Sequence, residues 1–180
     1  MSNNTKKMLL VIGEHILFII LSVFLASTFS SLLKHHMYVL SIITGFLYVT
    51  STYSAGWQAS KKDYSMAKEE LRVCEDKDKK LNYRRYQGFL TALPNLILSL
   101  VLLITCFTNG EIWYVLFRLY NSAFVFALAD AKNILIPWLC VIAAILPYLA
   151  YGIGYIMGKN KKVLFIKYIP GIFYKKVNKE

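Results

Sequence analysis

The sequence predicts an all-α integral membrane bundle of four transmembrane helices, with an outer interfacial helix or re-entrant segment added at one face. Three observations carry this reading. The 180 residues are 57% hydrophobic and only 17% charged, whereas soluble chains are about a quarter charged. Four stretches stay apolar over the roughly 20 residues that a helix needs to cross hydrocarbon about 30 Å thick. The basic residues behind the net charge of +11 gather on alternate connecting segments, as lysine and arginine do on one side of a membrane. The chain, 1–180, reads as a single transmembrane domain.

The first span, 9–33, reads LLVIGEHILFIILSVFLASTFSSLL, and the second, 38–57, reads YVLSIITGFLYVTSTYSAGW. The third, 88–107, is GFLTALPNLILSLVLLITCF, and the fourth, 134–157, is ILIPWLCVIAAILPYLAYGIGYIM. Lys6 and Lys7 precede the first run in the manner of a signal peptide. That run exceeds the signal core of about 7–15 residues, and no A-x-A site follows it, so it is read as a span.

Orientation follows from the loops. With the N-terminus inside, residues 1–8, the loop 58–87 and the tail 158–180 hold two, nine and seven Lys/Arg, eighteen in all. The outer pieces hold three, Lys34, Arg118 and Lys132. The expected location is the cell membrane, with both termini cytoplasmic.

Within the outer segment 108–133, residues 111–133 are apolar enough to suggest a fifth span, but Arg118 and Asn121 fall inside the run. A central arginine costs roughly 3 kcal/mol on insertion, and a fifth span would carry the basic tail outside. Trp113, Tyr114 and Tyr120 suit the headgroup layer. An interfacial helix or a re-entrant hairpin is expected.

In the loop, Tyr64, Ala67, Leu71 and Cys74 recur at helical spacing, which predicts a short helix continuing the second span before a polar turn near 75–80. In the tail, Lys159, Lys161, Lys162, Lys167, Lys175 and Lys176 alternate with apolar and aromatic runs. Beside a membrane this pattern predicts contact with an anionic inner leaflet, each lysine contributing about 1 kcal/mol. Nucleic acid is not an expected partner.

Candidate chemistry is sparse. Glu14 and His15 are the ionisable pair within a span. Glu14 lies about 8 Å into its helix, which favours an interfacial pair; the alternative is an intramembrane polar site formed with Asn95. His35 and His36 lack a nearby carboxylate or thiol, and Cys74, Cys106 and Cys140 lack zinc spacing and read as small buried hydrophobes. No metal, cofactor or catalytic residue is expected, so the chain reads as a non-enzyme. Pro94, Pro137 and Pro147 free backbone carbonyls inside spans, as plain membrane helices and substrate paths both do.

YGIGYIMGKNKK, residues 151–162, invites a phosphate-loop reading. Ile153 stands where the first glycine of that motif belongs, and Asn160 stands where Ser or Thr should follow Gly158-Lys159. What remains is Gly154-x-x-x-Gly158, a ridge of small residues that lets another helix approach closely.

GWQASKKD after the second span, GFLTALPNLIL opening the third, FRLYNSAF in the outer segment and YGIGYIMGK…IFYKK at the end resemble a family of small four-span membrane proteins from Gram-positive bacteria. The likeness runs over 53–176, and the insert 75–80 departs from it. The resemblance implies the four-span architecture and, because that family has no established activity, no site residues.

The functional expectation is a non-enzymatic accessory or interaction protein, working beside other membrane subunits or further copies of itself. The alternative is a small transporter or channel component. Such a component needs a polar path, which only Glu14, His15, Asn95 and the Ser/Thr groups could line. The charge bias predicts that alkaline phosphatase fused after Glu180 is inactive; an active fusion would reverse the topology.

Overall fold

The computed structural model describes residues 3–29, 37–73, 81, 83–109, 111–124 and 136–159. The described residues are helical and contain no strand. Four long helices are α1 (Asn3–Phe29), α2 (Met37–Val73), α3 (Gln87–Asn109) and α5 (Ile136–Gly158). A ten-residue helix, α4 (Glu111–Tyr120), and a 3₁₀ turn, Ser122–Phe124, lie between the last two. The four long helices are each long and apolar enough to cross a membrane, whereas α4 is not among them. This is an all-helical membrane protein.

One helix starts before its expected span, and the helix expected to continue the second span is present. α1 begins at Asn3 rather than residue 9, because nothing in its polar start breaks the helix. α2 passes without interruption through Trp57 to Val73. The stripe of Tyr64, Ala67 and Leu71 is therefore a continuation of the span, with Ala67 buried. Cys74, His35, His36, the insert 75–80 and the tail beyond Lys159 lie outside the described residues.

Contacts fix the directions. α1 runs against α2, since Lys7 pairs with Asp63 and His15 meets Tyr48. α2 and α5 run the same way, with Gly56 against Tyr151 and Gly158 against Trp57 and Ser60. α3 opposes α5, with Gly88 against Tyr155 and Leu103 clustered with Cys140 and Ala144. The end that gathers Lys7, Lys61, Lys62, Arg84, Arg85 and Lys159 is called the basic end below.

The α2–α5 seam is held by missing side chains. A Cβ added at Gly154 would overlap the Tyr53 carbonyl oxygen, and one at Gly158 would overlap that of Trp57. From the other side, a Cβ on Gly56 would overlap the Tyr151 carbonyl. Lipid gives helices no hydrophobic reason to associate, so close backbone approach supplies the van der Waals contact that holds them.

α4 is re-entrant. One residue separates it from α3, and it packs back along that helix with Phe117 fully buried. Its end meets Asn95, about 21 Å below the end of α3 and about 12 Å above its start at 1.5 Å per residue. Arg118 does not disqualify the segment, because its guanidinium folds back over the Tyr114 ring at 5.5 Å, in the direction side chains lean on a helix.

Gly154→Leu is expected to destabilise the protein by about 1–3 kcal/mol, the usual cost of overpacking, read as a lowered melting temperature in detergent. Gly13→Ala, where an added Cβ meets nothing within 4 Å, should leave melting unchanged or slightly raised.

Candidate functional site: a buried polar column along α2

Hydrocarbon offers no partner to a polar group, and each one left unsatisfied costs several kcal/mol. One face of α2 nevertheless carries Ser41, Thr44, Tyr48, Thr52 and Ser60, each no more than 3% exposed. Half-buried Ser51 and Asp63 flank the same row. The spacing of three and four residues places them on one stripe. From Ser41 to Thr52 the stripe runs about 17 Å within the expected span, and Ser60 and Asp63 continue it beyond Trp57.

The centre of the column joins four helices. Ser51 Oγ donates to Glu14 Oε1 at 2.6 Å. His15 Nδ1 is hydrogen-bonded to the Tyr48 hydroxyl, and the Tyr120 hydroxyl donates to Asn95 Oδ1. The His15 ring lies 4.2 Å from the Tyr120 ring and 5.4 Å from the Tyr48 ring, centroid to centroid. His15 is 3% exposed, and its Nε2 closes no hydrogen bond of ordinary geometry. Glu14, His15 and Asn95 are therefore brought into one cluster. Glu14 and His15 face Ser51 and Tyr48 of α2, six and nine residues before the expected end of its span at Trp57.

Above this centre the tip of α4 is bonded into the bundle. A helix leaves its last carbonyls without intrahelical partners. Asn121 N–H and Nδ2 both donate to the Phe117 carbonyl, at 2.9 and 3.2 Å. Ser99 Oγ donates to Asn121 Oδ1 at 3.3 Å. Thr44 Oγ1 donates to the Ala123 carbonyl at 2.7 Å and shares that proton with the Leu40 carbonyl at 2.9 Å. Ser122 Oγ reaches the Ile19 carbonyl at 3.4 Å. Tyr120 thus points into the bundle, not into the headgroup layer expected for it.

At the basic end the column opens into a cavity of about 420 Å³, with Lys7, Asp63, Glu70, Tyr83, Arg84 and Tyr155 among its walls. Lys7 and Asp63 form an ion pair there, and Tyr155 Oη donates to the other Asp63 oxygen at 2.6 Å. Tyr151, 3% exposed, lies within electrostatic reach of both Asp63 and Glu14. The Tyr83 hydroxyl bonds Ser60 at 2.7 Å, and burial of Tyr83 pushes its pKa above the usual tyrosine value. Lys159 Nζ stands 5.4 Å from the Tyr64 ring and 5.6 Å from the Tyr83 ring. Lys159, for which membrane-surface contact is expected, stands over two rings of its own chain. Lys161, Lys162, Lys167, Lys175 and Lys176 lie outside the described residues.

Sequence reasoning did not single out Tyr48, Ser51, Thr52, Asp63 or Tyr155. The signal was present as polar residues at helical spacing inside an apolar run. Among the described residues no three His, Cys, Asp or Glu side chains could hold a metal ion. Comparison with protein-family models, curated proteins and solved structures found no match, so the resemblance to the four-span family rests on sequence motifs alone.

The Lys7–Asp63 pair is half-buried, so removing one partner strands the other. Lys7→Met alone is expected to lower the melting temperature more than Lys7→Met with Asp63→Asn. A double-mutant cycle on thermal unfolding measures the coupling.

Proposed function

We propose that this protein is a small ion-translocating component of the cell membrane, with its basic end at the cytoplasmic face. The observation that carries the reading is the buried polar column along α2, from Ser41 to Thr52 within the expected span and on to Ser60 at the basic end. Ionisable groups inside a span are costly and by default mark ion pathways. Here Glu14 and His15 stand beside a helix broken at depth, a construction found where irregular backbone lines a path through a membrane. The eighteen-to-three bias in basic residues supports the orientation.

The accessory reading has its own support in the end of α2 beyond Trp57. Lys61, Lys62, Lys68, Glu69, Glu70 and Arg72 are exposed there, a charged helical face that a partner protein could engage.

The two readings separate in reconstituted liposomes. Purified protein is expected to dissipate an imposed ion gradient several-fold faster than empty liposomes, followed with a potential-sensitive dye. Decay equal to that of empty liposomes would leave the accessory reading in its place.

A further inference from the structure

Resting on the ion-translocating reading, we propose that the ion is the proton, passed between side chains from Asp63 to the Glu14–His15 cluster and on past Tyr48. The chemistry of the column decides between protons and dehydrated metal cations. A bound cation needs about six oxygen ligands arranged around it. The middle of the column offers one carboxylate, Glu14, already engaged by Ser51, and no metal-holding group exists among the described residues. What it does offer, on adjacent residues of α1, is a carboxylate bonded to the Ser51 hydroxyl and an imidazole bonded to the Tyr48 hydroxyl. Imidazole is the side chain that exchanges protons most readily near neutral pH.

The route can be followed residue by residue. Asp63 forms part of the wall of the basic-end cavity. Tyr155 bonds Asp63, and Tyr151, one turn earlier on α5, is buried against Val11 of α1, one turn before Glu14. Ser51 bonds Glu14, Tyr48 bonds His15, and the Tyr120 ring covers the imidazole beside Asn95. Thr44, Ser41 and Ser22, all buried, continue toward the other end.

Each hydroxyl accepts one proton on its oxygen and releases its own. Glu14 binds and gives up one proton, and the imidazole takes a proton on one nitrogen and gives one up from the other. Every group returns to its starting form, no electrons move, and the sum is one proton transferred. The titratable groups facing the pair are Tyr48 from α2, Tyr120 from α4 and Tyr151 from α5, with Asp63 and Lys7 beyond. Lys7 is the one cation in an ion pair among the described residues, and its partner is Asp63, so no fixed positive charge is bonded to Glu14.

The test uses the full chain in liposomes holding a pH-sensitive dye, with a potassium gradient and valinomycin setting the driving potential. Parallel liposomes hold a sodium-sensitive dye under a sodium gradient. The expected result is proton flux well above that of empty liposomes, no sodium flux, and at least a tenfold loss of proton flux in Glu14→Gln and His15→Gln. Tyr48→Phe removes one hydroxyl while keeping the ring, so it tests the route should either of the others fail to fold. It is expected to lose flux to the same degree. Sodium flux without proton flux would overturn the proton assignment and leave ion translocation standing. Proton flux unchanged in all three variants would overturn the route. Absence of both fluxes would remove the ion-translocating reading together with the proposal.

Discussion

A helix that ends inside a bundle leaves its last carbonyls without intrahelical partners. Asn121 caps the end of α4 at Phe117, and the chain there is tied to three other helices. Thr44 comes from α2 and Ser99 from α3, and the 3₁₀ turn that follows sends Ser122 to the backbone of α1. Thr44 and Ser99 are polar residues on the inward faces of their helices, so the polar interior of the bundle and the anchoring of this turn go together.

The second constraint is lateral. α2 can present a row of small hydroxyl residues inward only because it is pressed against α5, where Gly56, Gly154 and Gly158 let backbone approach backbone. Tyr151 and Tyr155 grow from the same stretch of α5 and project their hydroxyls toward α1 and α2, where Asp63 and Glu14 wait. The glycines bring the helices together, and the tyrosines between them keep the seam polar.

The four spans were legible because length and apolarity are one-dimensional properties. α3 and α5 lie within two residues of the expected bounds at both ends. The re-entrant segment stood among the expected alternatives. Choosing between them required knowing that Arg118 could fold back onto Tyr114 and that Tyr120 could find Asn95, both of which are long-range facts of packing. Glu14, His15 and Asn95 could be picked out singly, as polar residues in apolar runs. Their shared location could not, because it depends on where α1 starts and how it slides against α2. Tyrosine is ambiguous by nature: its apolar ring and polar tip suit the headgroup layer and a buried hydrogen bond equally well.

Pro94 stands inside α3 immediately before Asn95. It lacks the N–H that would bond the Leu90 carbonyl, so the helix is weakest against bending at that point. Everything beyond it on α3, together with α4 packed alongside and joined through a single residue, forms one helical hairpin. Asn95 follows that proline and bonds Tyr120 of α4, so the least stiff point of α3 is also where the hairpin closes on itself. The bonds of its tip to α1 and α2 then do for this wall what the glycine seam does for the opposite one.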